Sequence, residues 1–490
     1  MDARVAQGEV RAAADPDSRA WDGWLSPTAI GFALVLLTIV VYWSSGTVRS
    51  YNHFVWQAMA FLQGRAEIDF PVAPTATSPG NSWMQDILPL YDASGRLSGK
   101  GLLPFPPLPA IILMPLVAIF GMATDQRLVS VLFGAVNVGL GWWMLGRLPV
   151  DPRVRLLTAI FLGFGTVLWY AAQLGTTWFL AHVISLTALL GAVGLALERD
   201  PDSAVDEPEP KPGDSWLRSA VRDLRRPLQL IDRRQLLVGL LFGLACTTRL
   251  TMVFGAPFFM LVGGGGSWLR RSVSAGIGAL IPVGALVVYN LVTTGHIFHP
   301  GYEYQYQLEA NGYPSLNYNP DWAIEDPRYI PQNLVIALLS LPAFFPDAIP
   351  SSVGGGQPLC VDPGVTRGLF NPACPVALPR DIGMSLFLTS PAFLLALPVV
   401  RDYGRTRLIT GAALAVFFVA VVNVMHFSQG WVQFGYRFSN DFVVFLLILT
   451  ALGMHQALRR RWGLGLAAGL VVAAVAINFW GVWWGMKLGW

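Results

Sequence analysis

Residues 236–264 read LLVGLLFGLACTTRLTMVFGAPFFMLVGG, and the fold turns on whether this stretch crosses a membrane or turns back within it. It is apolar and long enough for a ~30 Å hydrocarbon core. Yet Arg233 and Arg234 precede it, and Arg270 and Arg271 follow it. Arg and Lys at helix ends mark the cytoplasmic face, so one straight crossing would strand one pair on the wrong side. A polar Thr247–Arg249 triplet interrupts the middle. Two short helices broken around that triplet keep both cationic flanks on one face.

The same vote, taken outward, threads the rest. Arg147, Arg153 and Arg155, the tract 198–235, Arg401, Arg405 and Arg407, and Arg459–Arg461 all sit beside apolar runs. They share the cytoplasmic face if 28–44 runs outward, 127–146 in, 156–174 out and 178–197 in. After the broken pair, 273–292 runs out, 382–400 in, 408–426 out, 440–456 in and 463–481 out, leaving the C-terminus external. Residues 104–121, PFPPLPAIILMPLVAIFG, then form a juxtamembrane or re-entrant helix, because a full crossing there would reverse three Arg-rich loops. Residues 1–27 read as a cytoplasmic tail and 28–490 as one polytopic domain. Within it lie a first outer loop (44–125), a charged cytoplasmic linker (198–235), mostly disordered at its start, and a second outer loop (293–381). The fold class expected is an all-α membrane bundle of about ten to twelve helices, multi-pass in the plasma membrane with both long loops external.

Composition agrees. Hydrophobic residues make up 54% of the 490 and charged ones 13%, too apolar for a soluble multidomain protein. The net charge of +3 does not point to nucleic acid, since the cations lie at helix ends. Cys246 falls in an apolar run. Cys360 and Cys374 share the second loop, in PLCVDPGVTRGLFNPACP, where a local disulfide and two free thiols both remain open.

The outer loops carry the chemistry. SYNHFVWQAMAFLQGRAEIDF (50–70) places Phe54, Val55, Ala58, Met59 and Leu62 on one stripe, with His53 and Gln57 on another face, as in an interfacial helix. Glu67, Asp69, Asp86 and Asp92 lie between that helix and the Pro-rich one. QLGTTWFLAHV (173–183) sets Trp178 and His182 one helical turn apart. A His at such a place is more often an interhelical hydrogen-bond partner than a catalyst, yet an ionisable side chain at membrane depth is a functional candidate. GHIFHPGYEYQYQLEANGYPSLNYNPDW (295–322) is dense in Tyr and Asn, suited to stacking on sugars or to an aromatic belt. His296 and His299 lack acidic or Cys partners at metal spacing.

HFSQGWVQFGYRFSND (426–441) is the sharpest segment. It gathers Gln433, Tyr436, Arg437, Asn440 and Asp441 in one short outer turn. An outer Arg at a helix start calls for an anion, either Asp441 four residues on or a lipid phosphate, whose oxygens match the guanidinium fork. Arg249, at the break of the short pair, fits a phosphate or the capping of carbonyls.

In order, Gly64, Arg65 and Asp69 end the interfacial helix, Pro106-Pro107-Leu108 opens the next, G-L-x-x-G-L-A-x-x-x-R spans Gly239–Arg249, and G-Y-R-F follows at 435–438. This order resembles the GT-C superfamily of integral membrane glycosyltransferases, particularly bacterial mannosyl- and arabinosyltransferase-like members. The resemblance implies transfer of a sugar from a polyprenyl-phosphate donor to a glycan, lipid or protein acceptor on the outer face. The family's acidic residues after the first helix and after the third span are replaced here by Ser50-Tyr51-Asn52-His53 and Gly175-Thr176-Thr177-Trp178. The catalytic carboxylate then falls to Asp86 or Asp69, with His53 behind them. Arg437 would hold the phosphate, and His182, Trp178, Gln433 and Tyr436 would shape the sugar pocket. The cofactor is undetermined, a divalent cation being one option. Two other classes stay open: an inactive relative that binds lipid or a partner, and a flippase for lipid-linked sugars.

Overall fold

In the computed structural model the described residues are 26–46, 51–69, 86–206, 231–264, 267–304, 319, 321–352, 354–430 and 432–490, with backbone alone for 199–206. Three sites of earlier expectations lie outside them: the tail before Ser26, linker residues 207–230, and the Tyr- and Asn-rich stretch 305–318.

The chain is mostly helical. The first helices are α1 (Pro27–Ser44), α2 (His53–Leu62), α3 (Leu108–Phe120) and α4 (Gln126–Leu145). Next come α5 (Pro152–Phe164), α6 (Leu168–Leu174), α7 (Thr177–Asp206), α8 (Arg233–Cys246), α9 (Ala256–Leu261) and α10 (Trp268–Thr294). The last three are α11 (Arg407–Met425), α12 (Val443–Ala457) and α13 (Gly463–Leu488). Side-chain caps start many of them where the chain turns: Ser26, Asp125, Asp151, Asp232, Ser267 and Thr406 each accept a backbone N–H from the first turn, satisfying donors the helix itself leaves open. Among the described residues, six helices are long and apolar enough to cross a membrane, namely α1, α4, α7, α10, α11 and α13. The pair α5–α6, bent by 44°, makes a seventh if counted as one.

The 236–264 stretch is broken where its polar triplet falls. Helix α8 stops at Cys246, a 3₁₀ segment covers Leu250–Gly255, and α9 closes the pair. Glycine explains how tightly α8 seats. A Cβ on Gly239 would stand 2.0 Å from the carbonyl oxygen of Ala275, and one on Gly243 2.6 Å from that of Ala279. The two backbones of α8 and α10 touch through these positions, as small residues permit between membrane helices.

Helix α3 has 13 residues, about 20 Å at 1.5 Å per residue, short of a full crossing. It packs on α2 through Phe54, Val55 and Ala58 against Ala110, Leu113 and Val117. His53 and Gln57, expected on a separate polar face, are also fully buried, because α2 is enclosed by the bundle as well as by α3.

Beside the helical bundle, β1 (Ile68–Asp69), β2 (Leu88–Tyr91) and β3 (Leu97–Leu102) form a small antiparallel sheet in the order β1-β3-β2, and β4 (Ala343–Phe344) pairs with β5 (Ala377–Leu378). Three expectations need correction. Residues 382–400 do not form a span. They run as Leu386–Thr389, Pro391–Ala396 and Val399–Asp402, since Pro391 and Pro398 each remove a helical donor and Ser390, before Pro391, sits off α geometry at φ −138°, ψ 64°. Residues 440–456 start later, as a 15-residue helix from Val443, buried along most of its length. Finally, helix α7 continues through the expected start of the linker to Asp206.

The second loop carries the Cys360–Cys374 disulfide, while Cys246 is buried and free.

Candidate functional site

One buried carboxylate organises the most polar region of the bundle. Asp441 closes the 3₁₀ turn Arg437–Asp441 and is fully buried. Its Oδ1 accepts from Arg249 Nε at 3.2 Å, and its Oδ2 accepts from Arg249 Nη2 at 2.9 Å and Thr251 Oγ1 at 2.8 Å. His182 Nδ1 lies 2.8 Å from Oδ1. Three side chains from two segments thus satisfy a charge that would be costly to bury alone. The pairing differs from both expectations for these residues. Arg249 neither caps carbonyls nor waits for phosphate alone, and Asp441 meets it rather than serving only its neighbour Arg437.

Phe438 sits at the centre. The guanidinium carbons of Arg249 and Arg437 each lie 5.2 Å from its ring centroid, and His182 is 5.9 Å away. Arg437 also lies over Phe179, at 5.5 Å. Gly430, at φ +89°, lets the preceding loop close on this guanidinium, since a Cβ there would approach Arg437 Cζ to 2.7 Å. Arg437 is therefore positioned by packing and by the aromatic faces that favour cations.

The second carboxylate approaches from the first loop. Asp86 is buried, takes a positive φ of 70° and accepts from Trp178 Nε1 at 2.6 Å. Trp178 is one turn before His182 on α7, so the two polar ends are tied to one rigid helix with about 5.4 Å between successive turns. Tyr302 lies where both ends act on it. Burial pushes its phenol up, Arg249 opposes that rise, and Asp86 and Glu325 add to it.

His53 supports this arrangement without joining it. Its Nδ1 meets Thr177 Oγ1 at 2.8 Å, and its ring packs against Trp178 at 5.7 Å. Gln433 braces the turn: Nε2 donates to the carbonyls of Gln429 and Ile382. Asp69 stands apart. It is exposed at the sheet edge and gripped by both Arg65 nitrogens, at 3.1 and 2.5 Å. The Arg65 hydrogen bond holds its carboxyl below the usual range. The structure thus brings Asp86, Trp178, His182, Tyr436 and Arg437 into one region and leaves Asp69 outside it. Sequence reasoning did not include Arg249, Thr251 and Tyr302 in the site; the Arg at the break of an apolar pair was the available signal for the first.

Several polar atoms here are buried with no hydrogen-bond partner among the described residues: His182 Nε2, Tyr436 Oη, Gln433 Oε1 and both Asn440 amide atoms. Buried polar groups are rarely left so, and a hydroxyl-rich ligand has much to gain beside them. Among the described residues, no three His, Cys, Asp or Glu side chains gather as metal ligands.

No protein-family model matches the chain, and no curated protein matches it in sequence. Two solved structures are similar in chain path. One is ArnT from Cupriavidus metallidurans bound to undecaprenyl phosphate, at TM-score 0.47 and 11% identity, over 93% of this chain and 76% of that one. The other is the Archaeoglobus fulgidus oligosaccharyltransferase tethered to an acceptor peptide, at TM-score 0.42 and 9% identity, over 93% of this chain and 55% of that one. No residue role is carried over from either. The mostly helical bundle with membrane-length helices, short accessory helices and a broken helix pair, read from the residues, is the fold observed.

Proposed function

We infer that the protein is a membrane glycosyltransferase that moves a sugar from a polyprenyl-phosphate donor to a cell-envelope acceptor on the outer face of the plasma membrane. The observation that carries this reading is that α7 binds one buried acid, Asp86, at Trp178 and a second, Asp441, at His182 one turn on, with Arg249 paired to the second and Arg437 sharing the Phe438 ring with it. Glycosyl transfer needs a carboxylate and a cation within one substrate's length.

In this reading the acceptor hydroxyl gives its proton to Asp86 as its oxygen attacks the anomeric carbon. The bond from that carbon to the phosphate oxygen breaks, and its electron pair leaves with the lipid phosphate. Negative charge then grows on the phosphate, where Arg437 and Arg249 stabilise it. Asp441 holds Arg249 in place without cancelling Arg437. His182 Nε2, Tyr436 Oη and the Asn440 amide supply acceptors and donors for sugar hydroxyls. The carboxylate assigned as base narrows from two to one, because Asp69 is exposed and occupied by Arg65. No cofactor is assigned.

The test is mass spectrometry of cell-envelope glycans from a deletion strain complemented with the wild type or with Asp86→Asn. Loss of one sugar species on deletion, restored by the wild type and not by the variant, is expected. An unchanged glycan profile on deletion would remove the transferase reading.

A further inference from the structure

At the other end of the bundle, about 20 Å along α4 from its start beside Gly175, lies a cavity of about 320 Å³ between the beginning of α1 and the end of α4. Its size is within the range of small-ligand sites. Gly31 and Gly139 let α1 and α4 close on Trp142 and Val35 at its edge, Phe32 and Val35 form an apolar wall, and Trp142 and Arg155 close the end. We propose that this groove holds an anionic phospholipid, with an acyl chain along α1 and the phosphate against Arg155.

Two features define the occupant. The α1 wall belongs to a lipid-facing surface: Phe32 is 68% exposed and Leu36 63%, and only acyl chains cover such side chains inside a bilayer. The closed end is cationic. Arg155 is 8% exposed, its guanidinium lies 3.8 Å over the Trp142 ring, and its Nε donates to the Trp142 carbonyl at 3.1 Å. That grip fixes the planar fork at the groove wall. Arg147, 3.6 Å from Glu198, and the exposed Arg153 flank it in the turn to α5. Among the described residues, the guanidiniums of Arg147, Arg153 and Arg155 stand beside the carboxylates of Glu198 and Asp151 there; Arg155 caps the negative C-terminal end of α4 at the Trp142 carbonyl, and the N-termini of α1 and α5 add positive dipole ends. An amphiphile with an apolar chain and a negative head matches both ends. The site is independent of the transferase reading.

The experiment uses purified full-length protein with phosphatidylglycerol carrying a photoactivatable group on its acyl chain, and maps adducts by mass spectrometry. Adducts are expected in peptides covering 27–35 and 139–143. Unlabelled phosphatidylglycerol should compete about fivefold better than phosphatidylcholine, the ratio that ~1 kcal/mol from one Arg–lipid contact implies. Arg155→Gln should erase that preference, and Gly139→Leu should abolish the adducts. Since a Cβ at 139 would press Val35 Cγ2 at 2.8 Å, the wild-type competition stands as the primary measurement. Adducts spread evenly over the lipid-facing sides of α1, α10 and α13 would overturn the proposal. So would equal competition by phosphatidylcholine, or adducts that form only after removal of residues 1–25, which would make the tail the occupant.

Discussion

Asp441 and Arg249, separated by 192 residues in sequence, form a two-pronged ion pair inside the bundle, with Nε on one carboxylate oxygen and Nη2 on the other. The pair ties the broken helix segment to the turn that carries Tyr436 and Arg437. Removing either partner strands a buried charge, which costs about 3–5 kcal/mol. Arg249→Met or Asp441→Asn should therefore lower the melting temperature sharply in detergent. The double variant should recover part of the loss, and a double-mutant cycle by thermal unfolding reads the difference. Additive losses would show that the two side chains do not meet.

Asp86 and Asp69 should separate cleanly. Asp86→Asn is expected to lower sugar transfer by about 10²–10⁴-fold, the usual range for a lost general base, with expression unchanged. Trp178→Phe removes the N–H that orients Asp86 and should give a smaller loss. Asp69→Asn breaks an exposed pair with Arg65, worth about 0–1 kcal/mol, and should leave transfer near wild type. Glycan profiling of complemented deletion strains distinguishes the three.

The segment carrying Tyr302 should loosen in mild acid. Burial lowers the His299 pKa to about 4 from an ordinary value near 6.5, and its Nδ1 accepts from the Gly301 N–H at 3.0 Å. A folded pKa below the unfolded one means the unfolded chain binds the proton first. The stabilisation is therefore complete above about pH 6.5 and is lost as pH falls toward 4. Limited proteolysis within 296–304 should accelerate from pH 7 to pH 5 in the wild type, and the acceleration should flatten in His299→Gln. Identical pH profiles would exclude His299 as the cause.

Reduction should relax the second loop. The Cys360–Cys374 bond spans 14 residues, a closure worth about 3 kcal/mol in the chain-entropy picture. Cys360→Ser with Cys374→Ser is expected to expose the 358–376 segment to protease while leaving helix content by circular dichroism intact. In cells, resistance of both thiols to alkylation until a reductant is added would also place the loop in an oxidising compartment.

Much of the fold was legible because membrane segments state their requirements locally. A 17–20-residue apolar run, a Pro at a helix start or a polar triplet inside a run has the same consequence wherever the rest of the chain goes. This is how the break at Thr247–Arg249 and the short helix at 104–121 could be read. The stretch 382–400 misled for a related reason: its mean apolarity suits a span, but Pro391 and Pro398 act on individual hydrogen bonds that an average hides. The convergence of Asp86, Trp178, His182 and Arg437 was legible as a list of candidates. Which carboxylate belonged with them was not, since Asp69 and Asp86 have the same chemistry and lie in the same loop.

From its residues alone the chain determined that it is a helical membrane protein, where its helices break, and which polar side chains sit at the ends of its spans, because hydrogen bonding in lipid is settled within each segment. Only the tertiary structure decided that Arg249 answers Asp441, that Trp178 holds Asp86, and that Asp69 is bound to Arg65 instead. Those outcomes depend on distances between segments far apart in sequence, and a buried charge takes whichever partner the packing brings within about 3 Å.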